Sequence, residues 1–186
     1  MSFETAKTLG GVGAILAILS FLHWIIGIVG LVLLIIALKG LSEYYEKPSI
    51  FNNALIALIL GIVGIAIIGV ALIGALLAAF GIGGLTHPSF GPPPHFPLAF
   101  LGTILVGLIA TFVVFVISAV FFRRSLNELA ESSGESLFRT AGLLYLIGAV
   151  LLIILVGGIV ILISFILIAI AFFTLKPKQE TTTTTL

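Results

Sequence analysis

Four long runs without a charged residue dominate the chain: Leu9 to Leu38, Ala54 to Leu85, Leu98 to Phe122 and Ala141 to Leu175. An apolar run of about 18 residues is already long enough to cross the hydrocarbon core of a bilayer as one helix. Every run exceeds that length. Only 8% of the 186 residues are charged, where a soluble domain carries about 25%. A soluble fold is excluded, and the chain reads as an all-α polytopic membrane protein, one transmembrane domain over residues 1–175.

Run length and charge placement set the number of crossings. The third run is an ordinary tilted span, whereas the first and fourth would extend about 45 and 52 Å as single helices, against a bilayer core of about 30 Å. Each overlong run contains a break: Ser20 to Trp24 in the first, where His and Trp favour the interface, and Val156 to Gly158 in the fourth, where paired glycines weaken a helix. Six helices are therefore expected over about 8–22, 25–46, 50–82, 98–131, 136–155 and 158–175. They form paired terminal hairpins around a four-helix centre. This arrangement gathers every charged residue on one face and sends His23, His87 and His95 to the other. The positive-inside rule then places both termini in the cytoplasm, with the chain in the cell membrane.

A four-span alternative puts Lys7, Lys176 and Lys178 opposite Lys39, Lys47, Arg123, Arg124 and Arg139. Against six spans stands the shortness of the split helices, about 15 to 18 residues, which cross only by thinning the bilayer or stop as re-entrant hairpins. Residues 84–97 read as an extracellular Pro-rich loop and 176–186 as a disordered Thr-rich tail. Lys7 before an apolar run resembles the start of a signal peptide, but the run continues to Leu38 with no polar cleavage region near Ala14 or Ala17. The segment is expected to stay attached.

Eight basic and seven acidic residues leave a net charge of +1, too little for a basic field that holds a nucleic-acid backbone. The absence of Cys removes disulfides and thiol chemistry. No nucleophile with a base, phosphate loop or HExxH-type motif occurs, so no enzyme activity, cofactor or catalytic residue is expected. Two or three outward His without Asp, Glu or Cys beside them fall short of the ligand set of a structural metal site, and no metal is expected. Pro92 to Pro94 instead suit a stiff polyproline II cap, with Phe90 and Phe96 at the interface.

A repeat runs through the centre. Lys39, Leu41, Glu43 and Glu46 are echoed by Arg124, Leu126, Glu128 and Glu131. After a two-residue insertion Ser49, Phe51 and Ala54 reappear as Ser136, Phe138 and Ala141, continuing to Gly61 with Gly148 and Val63 with Val150. If these are homologous, two helix-turn-helix units share one orientation, a parallel repeat about an axis along the membrane normal; two generic helix ends with ordinary charges are the alternative.

The stretches Ala6 to Gly11, Ala37 to Tyr45, Ser49 to Leu55, Phe121 to Ser125 and Leu137 to Ala149 resemble the mainly archaeal membrane-protein family catalogued as domain of unknown function 996. The resemblance covers nearly the whole chain. It implies an integral membrane protein and transfers no activity or site residue.

The charged residues all fall outside the helix cores, where a coupled transporter would place some of them. Thr103, Gly107, Thr111, Val114 and Ser118 share one helix face, which either packs closely or lines a polar path. Ala57, Gly61, Gly64, Ile68, Ala71, Ala75 and Ala78 form a seam of mostly small residues expected to be the most crowded contact in the protein. At the charged face, Glu43 and Lys47 are spaced for an i,i+4 pair, Pro48 is expected to end that helix, Ser132 to Glu135 fits a capping box, and Glu128, Glu131 and Glu135 read as a solvated helix face. The function expected is that of a non-enzymatic membrane protein acting by helix packing, in contact with membrane lipid and with a second copy or a membrane-protein partner. The rival is a small neutral-solute or lipid pathway built on the repeat.

Overall fold

A computed structural model describes residues 1–80 and 96–177. The Pro-rich segment with His87 and His95, and the Thr-rich tail from residue 178, lie outside the described residues. Six α-helices follow in order: α1 Phe3–Ile18, α2 Trp24–Tyr44, α3 Pro48–Phe80, α4 Phe96–Ser133, α5 Leu137–Leu151 and α6 Gly157–Thr174. Among the described residues there is no strand. Five of the helices carry segments long and apolar enough to cross a membrane, Trp24–Tyr44, Pro48–Leu77, Phe100–Ser133, Leu137–Ile154 (which adds the 3-10 turn after α5) and Gly157–Thr174, while α1 has 16 residues. The chain is an all-α, multi-pass membrane protein.

Both overlong apolar runs are broken. In the first, α1 tightens into a 3-10 turn, Leu19–Phe21, and His23 in extended conformation caps α2, its Nδ1 accepting from the Ile25 N–H at 3.3 Å. In the second the break comes earlier than Val156 to Gly158. A 3-10 turn over Leu152–Ile154 is followed by Leu155 in the left-handed region, φ 64°, a conformation expected of glycine. Gly157 serves a different end: a methyl group there would collide with the Gly148 carbonyl oxygen on α5, whereas one at Gly158 meets nothing within 4 Å. Gly157 permits close packing, and a leucine makes the turn.

The described residues fall into two compact units. In the unit formed by residues 1–57 and 119–177, helix directions follow from which residues meet. Ser20 lies beside Gly27, Ala17 beside Gly30, Gly13 beside Leu34 and Ala6 beside Gly40, so α1 and α2 are an antiparallel hairpin. Phe138 meets Phe172, Ala141 meets Ser164 and Gly148 meets Ile161, so α5 and α6 are another. The start of α1 lies against the end of α6, with Gly10 under the Phe172 ring and Gly11 under the Phe173 ring. The core gathers Leu34, Leu38, Leu41, Ile50, Leu126, Leu129, Phe138, Ile168 and Phe172, all essentially free of solvent or lipid contact.

The second unit comprises residues 58–80 and 96–118, the remaining parts of α3 and α4. Here Gly61 faces Ser118, Gly64 faces Thr111, Ala71 faces Gly107 and Gly74 faces Thr103, again antiparallel. The small-residue seam is the inward face of α3, with Gly64 and Ala75 buried and Ile65, Val70 and Ile73 on its exposed sides. It is not the most crowded contact. A methyl group at Gly61 or Gly64 comes no nearer than 3.8 Å to a neighbour, and the tight point of this unit is Gly107 against Ala71. The closest backbone approaches lie within the two hairpins: a methyl group at Gly157 on α6 would collide with the Gly148 oxygen, and between α1 and α2 one at Gly30 would stand 2.6 Å from the Ala17 nitrogen and one at Gly13 2.8 Å from the Gly30 oxygen. A pair of facing glycines brings two backbones together, whereas on α3 Gly61 and Gly74 face side chains.

Candidate functional site

The larger unit brings six helix termini together: the starts of α1, α3 and α5 and the ends of α2, α4 and α6. Phe3 meets Tyr44 in a tilted ring contact with centres 4.8 Å apart, Met1 reaches Gly40, Ser49 binds Glu128 and Thr174 binds Glu135. This charged end carries the polar chemistry of the described chain.

Its turns are built differently from the sequence expectation. Helix α2 stops at Tyr44, and Glu46 takes a left-handed conformation, φ 54°, so Glu43 and Lys47 do not share a helix. The Ser42 hydroxyl closes the turn by donating to the Lys47 carbonyl at 2.8 Å. Pro48 opens α3 instead of ending α2, which fits proline's fixed φ and missing N–H at a first helical position. The second turn uses Gly134, φ 75°, its N–H donating to the Ala130 carbonyl. Ser132 is no N-cap, because its hydroxyl donates back to the Glu128 carbonyl within α4; the Glu135 carboxylate instead accepts from the Leu137 N–H at 3.3 Å. The two turns thus place their left-handed residue differently. Glu46 carries it in the first, whereas α4 runs two residues past Glu131, the repeat partner of Glu46.

Glu131 lies on the solvated face expected of it, whereas Glu128 and Glu135 are half-buried, and all three have partners on other helices. Glu128 Oε2 accepts from the Ser49 hydroxyl at 2.5 Å, Glu131 pairs with Arg139 at 3.2 Å and Glu135 Oε2 accepts from the Thr174 hydroxyl at 3.0 Å. Each ties α4 or its turn to a different helix. Buried serines extend the fastening: Ser125 donates to the Ile50 carbonyl at 2.6 Å and Ser164 to the Ala141 carbonyl at 2.8 Å. In the other unit Thr111 donates to the Gly64 carbonyl at 3.3 Å, so the hydroxyl face of α4 is a packing face at that position.

Among the described residues three buried side-chain polar atoms have no hydrogen-bond partner: the Tyr45 hydroxyl, Arg123 Nε and Asn127 Oδ1. Composition gives no sign of them, since Arg123 ends an apolar run and reads as a surface charge. Among the described residues no group of three His, Cys, Asp or Glu is placed to hold a metal ion.

Burial of Tyr45, with a smaller push from Tyr44, raises its phenol from 10.0 to about 12. The folded chain therefore keeps a proton that the unfolded chain releases above pH 10. The contribution is complete below pH 10 and is lost as pH rises towards 12. Thermal melts in detergent at pH 9 and 11 are expected to show Tyr45→Phe losing less stability than the parent, by about 1 kcal/mol once partial solvent screening is allowed for. An identical alkaline loss in both proteins would contradict the burial of that hydroxyl.

The family model described as protein of unknown function (DUF996) matches residues 26–171. An uncharacterized protein of Methanocaldococcus jannaschii is 33% identical over 140 residues, covering 75% of this chain and 73% of the relative. No solved structure gives a significant match. On the extent of the family match and this relative, the chain belongs to the DUF996 family of proteins of unknown function.

Proposed function

We propose that this protein is a non-enzymatic component of the cell membrane that acts through helix packing, with membrane lipid around it and a second copy or another membrane protein as its partner. The observation that carries the reading is the use of the polar side chains. Ser49 with Glu128, Ser125 with Ile50, Ser164 with Ala141 and Glu135 with Thr174 fasten helix to helix. In this reading the charged end faces the cytoplasm, since seven of the eight basic residues, Lys7, Lys39, Lys47, Arg123, Arg124, Arg139 and Lys176, belong to the unit that gathers the helix termini. The parallel repeat supplies two related helix-turn-helix pieces whose turns have diverged.

Reconstitution tests the reading. Proteoliposomes are expected to pass glycerol and urea no faster than protein-free liposomes, while mild crosslinking in native membranes yields a specific homo-oligomer or a complex with one membrane protein. Solute flux above background that Thr111→Val abolishes would replace this reading with a neutral-solute pathway along α4.

A further inference from the structure

Beyond that reading, we propose that Arg123 and Arg124 form a binding site for the phosphate of an anionic phospholipid at the charged end of α4. The two arginines follow Phe121 and Phe122 at the point where the apolar run of α4 stops, which is headgroup depth for a spanning helix. Arg123 is held before any ligand arrives. Its backbone and stem press on α5 at Gly142, where an added methyl group would lie 3.3 Å from Arg123 Cα and 3.4 Å from its Cγ. Its Nε–H is buried with no acceptor. Arg124 is exposed, its guanidinium lying 5.4 Å from the centre of the Phe121 ring.

The acids that would ordinarily neutralise this pair are engaged elsewhere. Glu128, one turn beyond Arg124, is turned to Ser49; Glu131 holds Arg139; Glu135 holds Thr174 and the start of α5. Two adjacent guanidinium groups are left without a carboxylate among the described residues. A guanidinium fork matches phosphate oxygens in two parallel hydrogen bonds, and its weak hydration suits a half-buried site. One turn further, the buried Asn127 Oδ1 also has no partner and offers an acceptor to a headgroup hydroxyl. A glycerol-type headgroup supplies both the phosphate and the hydroxyl.

Native mass spectrometry of the full chain in detergent, titrated with phosphatidylglycerol and with phosphatidylcholine, tests this. The parent protein is expected to prefer phosphatidylglycerol. Arg123→Gln and Arg124→Gln are each expected to weaken that preference about 5-fold, and the double variant about 25-fold. Arg139→Gln removes the same charge from an ion pair and is expected to change it less than about 2-fold. Arg124 is exposed, so its variant keeps the test valid should Arg123→Gln fail to fold. Equal preference for both lipids, or an Arg139→Gln effect as large as that of Arg124→Gln, would overturn the site. Displacement of phosphatidylglycerol by inorganic phosphate at equal concentration would overturn the lipid as the source of the phosphate.

Discussion

Gly30→Ala is expected to destabilise the protein by about 3 kcal/mol, at the upper end of the usual range for overpacking. The added methyl group would stand 2.6 Å from the Ala17 nitrogen, 2.7 Å from the Gly13 oxygen and 2.9 Å from the Leu16 carbonyl carbon. All three are backbone atoms, so no side-chain rotation relieves the contact and α1 must move away from α2. Gly157→Ala belongs to the same class, because its methyl group meets the Gly148 oxygen and the Leu152 nitrogen. Gly158→Ala is the internal control, with nothing within 4 Å of the new methyl group. Alanine is the better helix former by about 1 kcal/mol, so that variant should be neutral or slightly stabilised. Unfolding in mixed detergent micelles measures all three. Equal losses at Gly157 and Gly158 would contradict the close approach of α5 to α6.

Phe172→Ala is expected to cost about 3 to 5 kcal/mol, the range for emptying a buried phenylalanine site. Phe172 is fully buried, meets Phe138 edge to face with ring centres 5.1 Å apart, and lies over Gly10. Its ring therefore joins α1, α5 and α6 at the charged end. A double-mutant cycle with Phe138→Leu and Phe172→Leu is expected to return a coupling of about 0.5 to 1.5 kcal/mol. Coupling indistinguishable from zero would mean that the rings do not meet. Gly10→Ala drives a methyl group into the Phe172 ring, so it should be better tolerated in a Phe172→Leu background than alone.

The helix count was legible because charge is costly in lipid and the overlong runs contain interface-seeking or helix-weakening residues at their centres. The inward face of α3 was legible for a similar reason, since small residues recur along it at steps of three and four. The same signal in α1, where Ala6, Gly10, Gly13 and Ala17 are buried, marks a tighter contact with Gly30 on α2 that the sequence reading passed over. Leu155 in a left-handed turn was not legible, because residue type favours the nearby glycines and only the structure shows Gly157 packed on Gly148 instead. Nor was the fate of the glutamates. Spacing along one helix gives Glu131 its exposed place correctly but makes Glu128 look solvated too, whereas Glu128 is half-buried against Ser49, a partner from another helix. The surroundings of Arg123 were not legible for the same reason: they are set by Gly142 on α5.

The central proposal, in which all six helices cross and their charged termini share one side, has a direct test in single-cysteine labelling. The chain has no cysteine, so each variant carries one reactive thiol. Glu4→Cys, Glu43→Cys and Glu131→Cys are expected to react with a membrane-impermeant maleimide in inverted vesicles and not in intact cells. Trp24→Cys and Leu155→Cys, at the two breaks, are expected to react in intact cells and not in inverted vesicles. Labelling of Glu4→Cys and Glu43→Cys from opposite sides would contradict the account, because α1 and α2 would then cross the bilayer as a single span.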